Sequence, residues 1–462
     1  MHWAKPEDWI EQSGNPFARI SRTLLIRASV APGLLLILAC WVGLTLSGWS
    51  AEQKAGAAAG SGQFWRLHWY ERGIEHGNPG HEHRFRVNSP EVVLHPEFGK
   101  RVEARENGLM LIRAEEDLSL VTAAQLYLEM WGGHPGTANK RVTINGRSTY
   151  FLPRAGTEEM HCTYHYPLIG LKITDLVNGY NAFQFALDQG KTFWGHMIVD
   201  NACLREALTN SHPDLASASL SGFQAQVKMV PSASDPEVFE ISLDWSARDS
   251  ALVTAVDFEG YYFGYDENGD GQCTDWHGFT KARRPVAILG TAKSTPFATR
   301  WDTHMLPSQK GVELRAIIHF KGQTNLVYVT PPLRGMEIPE RRSSQVTLYS
   351  SHDLPKGFWS RANRKQRCTI YLDVNPEQIE RAELHVNAWT GGPGNVKEYF
   401  KLNGHHFPVA EGDKHELIYS RLEVGRGVIK QGLNEIELLS DTEHHGIEIL
   451  LPGPCLMVRS RR

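Results

Sequence analysis

"AQLYLEMWGGHPGTANKRVTINGR", residues 124–147, and "AELHVNAWTGGPGNVKEYFKLNGH", residues 382–405, decide the fold, because they are two copies of one pattern. In register, Leu126 answers Leu384, Trp131 answers Trp389, Gly133 answers Gly391, Pro135 answers Pro393, and Asn145-Gly146 answers Asn403-Gly404. The agreement continues downstream. "LVNGYNAFQFAL" (176–187) pairs with "VIKQGLNEIELL" (428–439), and "MIVDNACLRE" pairs with "ILLPGPCLMVR", which sets Cys203 opposite Cys455. Two copies so far apart are a duplication; a solenoid would stack many short units.

Within each copy the local pattern is β. Leu126, Leu128 and Met130 alternate with polar residues, as do Phe183 with Phe185 and Ile436 with Leu438, and a period of two marks a half-buried strand. Asn145-Gly146 and Asn403-Gly404 follow apolar strands and suit a tight hairpin, whose two central positions both need positive φ. Strong helical periodicity is absent outside the amino-terminal segment. A chain of 462 residues holds two to four domains of ordinary size. The expectation is an all-β protein: sandwich domains at 65–208 and 341–462 around a segment of other composition at 209–340, with a flexible linker at 51–64.

These residues carry a resemblance. A strand ending in "TINGR" or "KLNGH", followed later by "NGYNAFQF" or "QGLNEIEL", resembles the galactose-binding-like jelly roll found beside glycosidase catalytic domains and in carbohydrate-binding modules. In that family Asn-Gly serves the turn and Gly-x-Asn a strand entry, so the resemblance implies scaffold and names no ligand residue. The middle segment contains "PFATRWDT" and "VELRAIIHF", and resembles bacterial immunoglobulin-like or fibronectin-type-III-like domains. The expected order is jelly roll, Ig-like sandwich, jelly roll.

Charged residues make up 22% of the chain and the formal net charge is −4, which argues against a general phosphate-backbone surface and so against nucleic acid. The long apolar run is Ala28–Gly48, preceded by Arg19, Arg22 and Arg27 in an n-region at 1–27 and followed by small residues. That order describes an export signal over 28–50 or, uncleaved, a membrane anchor through 28–48; either places the body outside the cytoplasm, secreted or anchored. The six cysteines show no CxxC or Cys/His spacing for zinc, and buried thiols are as good a reading as one or two bridges.

Three stretches invite chemistry. "GYDENGDGQCTDWHG" (264–278) sets Asp266, Asn268 and Asp270 at positions one, three and five of an EF-hand-like loop, with Gln272 at seven. Position twelve is His277 instead of a bidentate Glu, and Asp275 would have to substitute. A structural calcium ion or a metal-free acidic turn both fit. "EEMHCTYHYP" (158–167) offers His161, Tyr164 and His165 as acid and base for a polysaccharide lyase or hydrolase. Trp131 and Trp389, together with the unmatched His134 and Trp194, are candidates to contact a sugar, whose C–H faces stack on indoles. The expected function is non-catalytic carbohydrate binding or adhesion at the cell surface or in the extracellular space, with a polysaccharide or a cell-surface protein as partner; the alternatives are a polysaccharide-processing enzyme and an architectural envelope protein.

Overall fold

The computed structural model describes residues 61–74, 85–87, 108–132, 137–153, 164–188, 197–267, 269, 271–277, 280–281, 284–285, 289–355, 357–361, 364–391, 394–411, 416–441 and 446–462. The apolar run Ala28–Gly48 and the candidates His134, His161, Trp194, Asn268 and Asp270 lie outside them. Among the described residues no helix is long and apolar enough to cross a membrane. The fold is all-β and built of paired sheets.

In the first copy the strands Val121–Trp131 and Met197–Leu208 face a four-stranded sheet of Leu109–Ala114, Gly179–Asp188, Ala138–Ile144 and Ser148–Phe151. The alternation read from sequence fills the space between them. Leu126, Leu128 and Met130 point inward from one sheet and meet Val142, Ile144, Phe183 and Phe185 from the other. The second copy repeats this, with Leu384, Val386 and Ala388 meeting Phe400, Leu402, Ile436 and Leu438. Truncating one of these buried phenylalanines to alanine would cost about 3–5 kcal/mol.

The two repeated motifs turn out to be halves of one clasp. Asn145 and Gly146 have φ of 50° and 67°, and Asn403 and Gly404 have 52° and 81°, as the hairpin requires. Each left-handed asparagine then reaches across its sheet to the asparagine of Gly-x-Asn. Asn145 Nδ2 donates to Asn181 Oδ1 at 2.8 Å, and Asn403 Nδ2 donates to Asn434 Oδ1 at 2.7 Å. Asn181 and Asn434 also each close their own loop, accepting from Val177 N and Lys430 N and donating to the carbonyls of the same two residues. Both are fully buried, so every one of these bonds satisfies a group that water cannot reach.

The middle segment has a core of its own, in which Ile241, Phe223 and Trp301 pack against Val256, Phe258, Leu314, Ala316 and Ile318. Its larger sheet is not separate from the first copy. Strand Gln63–Trp69 pairs on one edge with Met197–Leu208, Trp65 opposite Ala207, and on the other with Gln323–Val329, Trp65 opposite Val327. One sheet of twelve described strands therefore runs through both units. Glu237 of the middle segment binds Arg459 of the second copy through both oxygens, at 2.6 and 2.9 Å, and also takes Arg341 at 2.6 Å. Of the cysteines, Cys203, Cys368 and Cys455 are buried and Cys273 is half-buried.

Candidate functional site

The acidic loop is packed where three units meet. Tyr265 OH donates to the carbonyl of Gly453 at 3.0 Å and accepts from Asn387 N at 3.1 Å, while Asn387 Nδ2 donates to the carbonyl of Glu267 at 2.9 Å. A Cβ on Gly269, which has φ +72°, would meet the carbonyl oxygens of Tyr164 at 3.0 Å and Leu451 at 3.1 Å, one from each copy. Asp266, 2% exposed, spends its carboxylate inside the loop: Oδ1 accepts from Gly269 N at 3.0 Å and Oδ2 from Gly271 N at 2.8 Å. Asp275 accepts from Trp276 N at 2.7 Å, and Gln272 is exposed. Among the described residues no group of three or more His, Cys, Asp or Glu is placed to hold a metal ion. His277 is buried between the Glu267 carboxylate at Nδ1 and the Tyr262 carbonyl, 3.0 Å from Nε2, and stacks on the Tyr262 ring at 3.9 Å. Burial alone would lower its pKa, but the neighbouring Glu267 carboxylate raises it.

Tyr164 and His165 are also interior. Tyr164 OH donates to Asp200 Oδ2 at 2.9 Å, and its ring joins Tyr127, Tyr166 and Cys203 of the first copy and Leu450 of the second in a small apolar cluster between the copies. His165 is 2% exposed and neither ring nitrogen has a partner among the described residues; burial first, and the Lys140 charge second, hold its pKa down to about 3. A proton carrier has to stand within hydrogen-bond reach of its substrate, and these side chains face packed protein. Trp131 packs against the same cluster, and its counterpart Trp389 is half-buried between Leu417 and Glu448 in the register of the second copy.

A different set of side chains comes together on the face of the twelve-stranded sheet turned away from its cores. Because successive strand residues point to opposite sides, Val256 and Phe258 enter the core while Asp257, Glu259 and Tyr261 face out. On the neighbouring strand Leu314, Ala316 and Ile318 enter, and Glu313, Arg315 and His319 face out. Phe64 enters, and Trp65 and Leu67 face out; Leu204 enters, and Cys203 and Arg205 face out. Leu417 and Leu450 of the second copy cover one end of this face, at Leu67, Trp69 and Tyr127.

The remainder is an aromatic and charged surface. Arg315 lies over the Trp276 ring at 4.0 Å and pairs with Glu259 at 2.7 Å; Tyr261 meets Trp276 edge-on at 5.8 Å. Arg205 lies over the Trp65 ring at 4.9 Å. Farther along the same two strands, His319 Nε2 sits 2.8 Å from Asp257 Oδ2, and Thr291 Oγ donates to Asp257 Oδ1 at 2.5 Å. These three border an open groove of about 630 Å³ with Lys293, Gln323 and Thr324. Burial tends to raise the Asp257 pKa, but the His319 and Thr291 hydrogen bonds hold it below the ordinary carboxylate value. Arg315 is 25% exposed and His319 36%, so the face is reachable from solvent. It offers flat rings, guanidinium donors and carboxylate acceptors on a rigid sheet. The alternation in "VDFEGYYF" and "VELRAIIHF" signals that Asp257, Glu259 and Arg315 lie off the core; nothing local signals that Trp65 and Arg205 join them.

No protein-family model matches the chain, and no curated protein matches it. Solved structures similar to it include a glycoside hydrolase family 86 protein in complex with neoagarooctaose, at TM-score 0.22 and 10% identity over 51% of this chain and 33% of that one. Another is a β-porphyranase of glycoside hydrolase family 86 from the human gut bacterium Bacteroides plebeius, at TM-score 0.23 and 13% identity over 52% and 37%. The chain thus spans little more than a third of the length of these structures.

Proposed function

We propose that this chain binds glycans without cleaving them, on the outward face that carries Trp65, Arg205, Trp276, Arg315, Glu259 and Asp257, and that it does so outside the cytoplasm. The supporting observation is the doubled pairing of an arginine with an indole on one sheet face, Arg315 with Trp276 and Arg205 with Trp65. An indole stacks on the C–H face of a pyranose, and charged donors and acceptors beside it bond the ring hydroxyls. Glycoside cleavage asks for a carboxyl group that keeps its proton near neutral pH. The Asp257 carboxylate is committed to His319 and Thr291, and Glu259 is paired with Arg315, so neither is set up as that proton donor.

A glycan array probed with the full chain, followed by titration of the best binders against Trp65→Ala and Trp276→Ala, tests this. Each lost ring is expected to weaken binding about tenfold. An array without signal would remove the reading. Release of new reducing ends that stops in His319→Ala would replace it with an enzyme.

A further inference from the structure

Arg205 stands on this face in register with Leu67, beside the part that the second copy covers. Its guanidinium lies over Trp65, yet among the described residues it has no hydrogen-bond acceptor and no carboxylate partner. The carboxylate that it feels, Glu259, is bound to Arg315 at 2.7 Å, and Arg315 is itself close enough to act on Arg205 as a second positive charge. Burial pulls the Arg205 pKa down, so the surroundings do not favour the charge that they contain. In register with Arg205 on the next strand stands Gln125, whose buried amide oxygen has no partner either. A donor and an acceptor side by side on one face, neither satisfied among the described residues, are complementary to a third group that would serve both.

We infer that Arg205 receives the anionic substituent of an acidic sugar unit, a carboxylate or a sulfate ester, with the sugar ring against Trp65. A planar guanidinium takes either anion through two parallel N–H bonds, and charge-assisted bonds of this kind are about twice as strong as neutral ones. A hydroxyl of the same unit, or a water that it holds, would serve Gln125. Among the described residues Arg205 and Arg315 both draw on Glu259, which Arg315 holds at 2.7 Å. The inference rests on the glycan-binding reading and specifies its ligand.

The test is calorimetric titration of the full chain with polygalacturonate, dextran sulfate, neutral dextran and polyglutamate, repeated with Arg205→Gln, Trp65→Ala and, on an exposed strand of the second copy, Arg367→Gln. One or both acidic polysaccharides should bind more tightly than dextran. Arg205→Gln should cost about tenfold or more, Trp65→Ala should also weaken binding, and Arg367→Gln should have no effect. Which of the two acidic polymers binds identifies the anion. The thermal midpoint of Arg205→Gln should equal or exceed that of the parent, which separates lost binding from lost folding. Equal binding of dextran and the acidic polymers, unaffected by Arg205→Gln, would overturn the acidic-sugar inference and leave glycan binding standing. Polyglutamate bound as tightly as the polysaccharides would overturn the inference in favour of an acidic peptide. Silence from every polysaccharide and from the array would remove the underlying reading as well.

Discussion

The rings of Tyr265 and Tyr419 stack at 5.4 Å between centroids and 9° between planes, across the boundary between the middle segment and the second copy. The same Tyr265 hydroxyl bridges Asn387 N and Gly453 O. Tyr265→Phe keeps the stack and takes the hydroxyl away from Asn387 N and Gly453 O. It is expected to lower unfolding free energy by about 1–3 kcal/mol, measured by urea denaturation, while Tyr265→Ala should cost more.

The asparagine clasp makes the repeats equivalent in energy as well as in form. Asn181→Ala and Asn434→Ala each remove one side chain that closes its own loop and receives the other asparagine. Each should destabilise its copy by at least about 2 kcal/mol, seen as lost hydrogen-exchange protection confined to that copy.

Asp266 holds two amides of a loop wedged between three units. Asp266→Ala should cost about 2–4 kcal/mol. Asp266→Asn, which keeps one acceptor, should recover part of that loss in the same denaturation assay.

His165 behaves in the opposite sense. Its ring nitrogens are buried with no partner among the described residues, and its pKa falls from the ordinary 6.5 to about 3. Below pH 6.5 only the unfolded chain takes the proton, so this residue drains stability as pH falls from 6.5 towards 3 and contributes no pH dependence above that. His165→Leu should leave stability at pH 7 within about 1 kcal/mol of the parent or raise it, and should flatten the profile between pH 6.5 and 3.

Glu383 governs the lower part of the acid limb. Burial pushes its pKa up, but the neighbouring His385 and the two hydrogen bonds from Arg421 bring it from the ordinary 4.5 down to about 2. A depressed carboxyl pKa contributes stability that is fully present above 4.5 and is lost as pH falls through 2. Glu383→Gln should therefore be less stable than the parent at pH 7, with the difference closing between pH 4.5 and 2 in denaturation midpoints.

The sequence by itself determined the class of fold, the duplication and the turns. These are local matters: a period of two in "AQLYLEM" and "AELHVNA" fixes which side chains enter a core, and Asn-Gly is one of few dipeptides at ease with φ > 0 twice in succession. It also pointed to the Gly-x-Asn positions without revealing that they bond to the Asn-Gly positions across the sheet, since that contact depends on strand order.

Only the tertiary structure decided where chemistry is available. "GYDENGDGQCTDWHG" is the densest polar cluster in the sequence, yet Tyr265, Asp266 and His277 are buried between units and turn their polar atoms to neighbouring backbone and, for His277, to Glu267. Tyr164 and His165 vanish into the first copy and its contact with the second for the same reason: burial is a property of neighbours that are distant in the chain. Trp65 and Arg205 carry no motif. They become a candidate site because strand Gln63–Trp69 is hydrogen-bonded between two units, which brings an outward-facing indole and the guanidinium over it onto the same sheet face as Arg315 and Trp276.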